Sequence, residues 1–208
     1  DYPLLLRRLR LVGYDLAVDV SCSQSAMGSF LVGFSGARFR VGLKGKWDRW
    51  FNVRIARPPE KNKYRILPAF LKSLGLESYE SLPALVLSLS EKETGRKRLQ
   101  ALAGPDSSRC IVGVFVGGRK SWGKRWPTRK FCELITALYR QGLSVITFIG
   151  PEEMDSLGYF RDALESAIPI VFEPSARKFA AMVSNCDLFV TSETGPMHMA
   201  SGLGIAQV

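Results

Sequence analysis

The chain has 208 residues, 46% of them hydrophobic and 23% charged, the balance of an ordinary globular protein long enough for one large domain or two small ones. No apolar run approaches the roughly 20 residues of a membrane helix, and Cys110–Gly118 and Ser144–Ile149 are strand-length. The net charge of +10 is concentrated: between Ala37 and Arg65 ten Lys or Arg face only Asp48 and Glu60, an excess of +8, which calls for a partner rich in phosphate or carboxylate such as nucleic acid, anionic lipid or a phosphorylated glycan.

In chain order, the basic amphipathic stretch Leu4–Leu11 leads into a strand over Tyr14–Val20. Ser25–Phe34 reads as a helix and Arg38–Val41 as a short strand. Gly42–Lys63 has little periodicity and reads as a long loop. Tyr64–Leu74 is a helix ended by Gly75, Leu85–Leu89 a short strand and Ser90–Leu102 a charged helix, with a domain boundary at Gly104-Pro105-Asp106. Residues 1–104 and 105–208 are therefore the expected domains.

Beyond that boundary the pattern is regular. Ile111–Val116 is a buried-type strand followed by a glycine-rich basic loop, and in the next helix Phe131, Leu134, Ile135 and Leu138 share one face. Leu143–Ile149 is a strand, Met154–Leu164 a helix and Pro169–Phe172 a strand. Ser175 caps a helix with Phe179, Met182, Val183 and Cys186 on its apolar face. Leu188–Thr191, Pro196–Ser201 and Ile205–Val208 continue as strand, helix and strand. Strict alternation with short links means a parallel sheet with helices on both faces.

Such sheets bind ligands at the C-terminal ends of their strands, and three loops there carry chemistry. In the first, Gly117 and Gly118 let backbone N–H groups approach a phosphate or sugar, and Lys124 supplies an ammonium. Gly118 to Lys124 also spells the start of a P-loop. Arg125 stands where magnesium would require Ser or Thr, and Pro127 prevents a helix from starting at the lysine, so a P-loop is rejected. The second loop, Gly150-Pro-Glu-Glu153, offers carboxylates to ribose or sugar hydroxyls, although acids are ordinary in a first helical turn. The third, Thr191-Ser-Glu-Thr-Gly-Pro-Met-His198, places Pro196 at the first turn of a helix whose N–H groups suit a diphosphate. A carboxylate, a hydroxyl, a glycine and the only histidine within six residues are hard to explain as packing. A single histidine excludes multi-histidine metal sites. Cys22, Cys110, Cys132 and Cys186 lack metal spacing and read as free buried thiols in a reducing cytoplasm.

Lys124-Arg-Trp-Pro127, Gly150-Pro-Glu-Glu153, Cys186-Asp-Leu-Phe-Val190 and Thr194-Gly-Pro-Met-His198, in that order, resemble glycosyltransferase family 9, the ADP-heptose:lipopolysaccharide heptosyltransferases. Tyr14-Asp-Leu-Ala-Val-Asp19 is similar to a strand in their N-terminal half. The resemblance implies an α/β fold of GT-B architecture. Its two Rossmann-like domains would be a partial acceptor-side domain and a donor-binding domain, in a chain expected to lack both ends of the family's length. It implies inverting, metal-independent transfer of heptose from ADP-heptose to Kdo or heptose of the lipopolysaccharide inner core, without a cofactor. It implies that Gly117, Gly118 and Lys124 hold the donor phosphates, and that Glu152 or Glu153 meets the ribose. Glu193, Thr194, Gly195 and His198 would line the diphosphate-heptose end. Glu193 replaces the family's usual Asp, a longer side chain that implies altered donor geometry or a different sugar. The catalytic base is expected upstream of Asp1, and neither Asp15 nor Asp19 is promoted to that role.

The expected partners are the nucleotide-sugar donor, a lipopolysaccharide acceptor and an anionic membrane surface, in a protein of the cytoplasm peripheral to the inner membrane. Lys44, Lys46, Trp47, Arg49 and Trp50 would form the membrane or acceptor surface, unless the aromatics are core residues. The competing expectations are a nucleic-acid-binding module, a nicotinamide-dependent oxidoreductase and a non-catalytic nucleotide-sugar-binding homologue.

Overall fold

The computed structural model describes residues 2–21, 25–59, 63–77, 84–104, 110–118 and 126–208. The chain divides into two compact units, Asp1–Leu82 and Pro83–Val208.

The first unit begins with α1 (Tyr2–Val12), which buries none of its residues and is tied to the rest through Arg10 Nε, donating to the Phe34 carbonyl at 3.0 Å. β1 (Leu16–Val18), β2 (Phe39–Leu43) and β3 (Val53–Ile55) form a parallel sheet in that order, with Leu16 opposite Phe39 and Val41 opposite Val53. Between β1 and β2 lies α2 (Ala26–Phe34), started by Ser25, whose side chain accepts from the Gly28 N–H. α3 (Lys63–Ser73) covers the sheet by burying Phe70 against Val41 and Leu43. β3 lies inside the stretch expected to be a loop. Three residues of alternation, Val-Arg-Ile, are too few to stand out, and pairing with β2 makes them a strand.

The second unit opens at Pro83, earlier than the boundary expected at Gly104. α4 (Leu89–Ala103) belongs to it because Leu99 is buried in the core beside Phe179 and Met182 of α7 (Ala176–Val183). Gly95 makes the approach possible: a Cβ there would stand 2.0 Å from the Ala181 carbonyl oxygen. A capping box starts α4, with Ser88 Oγ accepting from the Glu91 N–H at 3.2 Å and Glu91 accepting from the Ser88 N–H at 2.8 Å. Glu91 also accepts from Arg177 of α7, and the guanidinium followed by the Ser88 donors holds its pKa down to about 2. The strand expected over Leu85–Leu89 is absent. Leu85 and Leu87 do alternate inward, but onto Ala180, Ala181 and Leu203 rather than into a sheet, and Leu89 is the first residue of α4.

The remaining elements are β4 (Ile111–Phe115), α5 (Thr128–Arg140), β5 (Ser144–Ile149), α6 (Leu157–Ala163), β6 (Ile170–Phe172), α7, β7 (Leu188–Thr191), α8 (Gly195–Leu203) and β8 (Ala206–Gln207). The sheet is parallel throughout, ordered β6-β5-β4-β7-β8. Its strands alternate between two core layers, as residues on a pleated strand must. Val112, Val114, Val145 and Ile149 pack with Phe131, Ile135 and Phe160 of α5 and α6. Phe115, Ile146, Phe148 and Phe189 pack with Leu99, Phe179, Met182 and Ala200 of α4, α7 and α8. The helix expected over Met154–Leu164 is split: Pro151–Ser156 forms 3-10 turns, and α6 starts only at Leu157. Cys132 and Cys186 are buried thiols as expected, whereas Cys110 is exposed, and Cys22 lies outside the described residues.

Candidate functional site

The strand order fixes where a ligand can enter. From β4 the chain moves through α5 and α6 to β5 and β6 on one side. From β6 it returns through α7 to β7 and β8 on the other. The helices that follow β4 and β7 therefore lie on opposite faces, in the separate core layers of α5 and α8. A crevice at the C-terminal ends of β4 and β7 is the topological switch point, the place where open α/β sheets bind ligands. Phe115 and Thr191 are register partners at its floor.

The loop after β7 forms one wall. Thr194 is the residue before α8, in extended backbone, yet its side chain does not cap the helix. Its hydroxyl donates to the Ser192 carbonyl at 3.2 Å and meets the Thr191 hydroxyl at 3.2 Å. The first-turn N–H groups of Gly195 and Met197 thus receive nothing from Thr194, Pro196 has none, and the dipole makes this end attractive to an anion. Glu193, Gly195 and His198 are exposed on this wall and Thr194 is half-buried.

Residues 116–118, directly after β4, stand on the other side, and here the geometry departs from expectation. Gly117 and Gly118 are both buried. The Gly118 N–H donates to Glu153 Oε1 at 3.4 Å. The missing Cβ at Gly117 makes room for the Phe115 ring, whose nearest atom would lie 2.2 Å from it. Glu153 is only 2% exposed, and its second oxygen accepts from the Gly150 N–H at 3.2 Å. Of the two acids after β5, Glu152 is exposed and Glu153 is engaged with the protein itself. Lys124 lies outside the described residues, while Trp126 packs edge-on against Phe131 with ring centroids 5.2 Å apart. The Thr191–Thr194 hydroxyl pair and the inward turn of Glu153 were missed in the sequence; nothing local marks either.

In the first unit Asp19 is buried at the end of β1, accepting from the Ser21 N–H and hydroxyl and from the Ser29 hydroxyl at 3.0 Å. These bonds commit it to the turn before α2. Trp50, expected at a membrane or acceptor surface, instead packs on α2 with its ring 5.0 Å from Phe34 and 6.2 Å from Phe30, and Phe51 is fully buried. Trp47 is half-buried under the cations of Lys46, at 5.2 Å, and Arg49, at 6.0 Å, and Lys44, Lys46 and Arg49 are exposed. A separate cavity of about 390 Å³ between α4 and α7 contains none of the candidate donor residues, and its Arg177 and Arg98 are paired with Glu91 and Glu173. Among the described residues no group of three or more His, Cys, Asp or Glu is placed to hold a metal ion.

The sequence model of glycosyltransferase family 9 (heptosyltransferase) matches residues 4–208. This chain belongs to glycosyltransferase family 9. Lipooligosaccharide heptosyltransferase 2 of Haemophilus influenzae is 26% identical to it, over 91% of this chain and 58% of its own. Among solved structures, the Escherichia coli ADP-heptose lipopolysaccharide heptosyltransferase II superposes with a TM-score of 0.64 at 21% identity, over 98% of this chain and 64% of that one. The family 9 glycosyltransferase of Veillonella parvula gives 0.69 at 17% identity, over 98% and 59%. The family 9 chain thus spans about 60% of the length of these relatives and shares their fold, and the expected GT-B α/β class is met. Its family membership leaves the nucleic-acid and nicotinamide alternatives without support.

Proposed function

We propose that the protein is a heptosyltransferase that moves heptose, with inversion, from ADP-heptose to a Kdo or heptose hydroxyl of the lipopolysaccharide inner core. The observation that carries this reading is the switch-point crevice with the α8 N-terminus, not capped by Thr194, on one wall, in a chain of family 9. The Escherichia coli structure is of an enzyme named for ADP-heptose and lipopolysaccharide. The ADP diphosphate would lie at the first turn of α8, with Lys124 opposing its charge and His198, Thr194 and Glu193 toward the sugar. As the anomeric bond breaks, negative charge grows on the leaving diphosphate, which fixed N–H dipoles and an ammonium stabilise without a metal. Glu152, exposed beside the crevice, is the carboxylate of this loop that remains for the ribose. The acceptor proton goes to a carboxylate general base, a role this reading gives to neither Asp15 nor Asp19, the latter being held by three hydrogen bonds. A substrate anchored in a membrane places the protein at the cytoplasmic face of the inner membrane.

Titration calorimetry with ADP tests the donor half of the reading. Wild-type protein should bind ADP, and Lys124→Ala should weaken it by roughly 1.5–3 kcal/mol, the loss of a charge-assisted hydrogen bond. Absence of ADP binding by the wild type overturns the reading; unchanged affinity in the variant removes Lys124 from the site.

A further inference from the structure

The cavity between α4 and α7, of about 390 Å³, has the size of a small-molecule site, and no residue of the proposed donor site lines it. Helical spacing builds it. Ser90, Thr94 and Arg98 follow one another at every fourth position on one face of α4, and on α7 Arg177 and Ala181, like Lys178 and Met182, are four apart. Gly95, Ala181 and Met182 are buried and make a largely apolar floor. Thr94, Arg98, Arg177 and Lys178 are exposed and make a polar rim.

The hydrogen-bonding capacity of the rim is only partly spent. Glu91 accepts from the Ser88 N–H and hydroxyl, both at 2.8 Å, and from Arg177 Nη2 at 2.9 Å. Arg177 is committed in turn, since the same nitrogen also donates to the Val86 carbonyl at 3.3 Å. Arg98 donates to Glu173 through Nη1 alone among the described residues, which leaves Nε and Nη2 available. The Lys178 ammonium lies in the field of Glu173 but makes no hydrogen bond or ion pair among the described residues. With Glu91 and Glu173 each cancelling one arginine, the rim keeps one positive charge, and donors without acceptors stand above an apolar floor. A cationic ligand would meet Arg98 and Lys178 with both carboxylates already engaged. A wholly hydrophilic one would leave the floor uncovered.

We infer that the α4–α7 cavity is a binding site for a small organic anion, its apolar body on Gly95, Ala181 and Met182 and its anionic head at Lys178 and Arg98. The site stands apart from the donor reading, because none of the residues given to ADP lines it. Both halves of the ligand contribute: apolar area leaves water on the floor, and the head receives charge-assisted hydrogen bonds at the rim. An exposed ion pair by itself contributes little, so the body is required as well as the charge.

Amide NMR titration tests it with naphthalene-2-sulfonate, which has both halves, against 2-naphthol, which lacks the charge, and inorganic sulfate, which lacks the body. Wild type should show saturable shifts at the amides of Thr94, Gly95, Arg177 and Lys178, and each partial probe should bind about tenfold more weakly or worse. Lys178→Ala should weaken naphthalene-2-sulfonate about tenfold, the loss of a charge-assisted hydrogen bond. Thr94→Trp, which fills the mouth without changing charge, should abolish the saturable shifts. Both positions are exposed, so these variants should keep the wild-type amide spectrum of β4 and β5. Arg140→Ala makes the same change in net charge at the end of α5, in the other core layer, and should leave affinity within about twofold. ADP should leave the probe in place. Absence of saturable shifts in wild type, shifts centred on another surface, or unchanged affinity in Lys178→Ala or Thr94→Trp overturns the inference. So does an equal loss in Arg140→Ala, and displacement by ADP would make the cavity part of the donor site instead.

Discussion

Thr147 lies in the middle of β5, and its hydroxyl, buried in the layer under α5 and α6, has no hydrogen-bond partner among the described residues. Strand alternation puts it on the same face as Val145 and Ile149, so its neighbours are aliphatic. Burying a hydroxyl without a partner forfeits its hydration, and a methyl of the same shape loses nothing. Thr147→Val should therefore stabilise the protein by about 1 kcal/mol, read as a rise of about 2–4 °C in melting temperature. A drop would mean that the hydroxyl has a bonded partner. At this scale the sequence was legible in type but not in direction. Gly150-Pro-Glu-Glu153 marks a loop with two acids at a ligand edge, yet whether a side chain faces the crevice or the protein depends on Gly118, 35 residues earlier. The Thr194–Gly195 start of α8 was readable because Pro196 and the glycine act locally.

Elements were legible where hydrophobic periodicity and caps agree. Ser25 and Ser175 begin α2 and α7 as their side chains suggest, and the apolar face of α5 lies where the spacing of Phe131 and Ile135 puts it. The failures share a cause, since β3 and the Leu85–Leu87 segment take their form from partners distant in the chain. The displaced boundary at α4 has the same origin. Its sequence, charged at six of fifteen positions, shows no strong apolar face, and what attaches it to α7 is a close backbone approach at Gly95, supported by Asn185 Nδ2 donating to the Lys92 carbonyl at 3.1 Å. Gly95→Ala tests this directly. On an exposed helix alanine would gain up to about 1 kcal/mol over glycine. Here its methyl meets the Ala181 carbonyl and must push the helices apart, so a net loss of about 2 kcal/mol is expected in denaturant unfolding. A gain in stability would show that α4 does not pack closely on α7.

For the molecule as a whole, the alternation of strands and helices was plain in the sequence, but the order β6-β5-β4-β7-β8, and with it the crevice, was not. Order is a property of which strands pair, and no short-range pattern encodes it. The charge distribution is the other whole-molecule feature, with +8 of the +10 net charge between Ala37 and Arg65. Of the three aromatics in Trp47–Phe51, Trp50 and Phe51 belong to packing, which leaves Trp47, half-buried beside Lys46 and Arg49. Among the described residues no helix is long and apolar enough to cross a membrane. An indole settles at headgroup depth, and each exposed cation near an anionic bilayer gains about 1 kcal/mol. Lys44, Lys46 and Arg49 with Trp47 should then give binding to anionic vesicles that weakens as salt shortens the Debye length. Trp47→Ser should reduce co-sedimentation with anionic vesicles several-fold and leave the melting temperature nearly unchanged, because the ring is not in the core. Trp50→Ser, by contrast, should destabilise the first unit through the lost contacts with Phe30 and Phe34. Equal binding to neutral and anionic vesicles, or a loss of stability in Trp47→Ser as large as in Trp50→Ser, would return Trp47 to packing and leave the basic stretch a solvated surface.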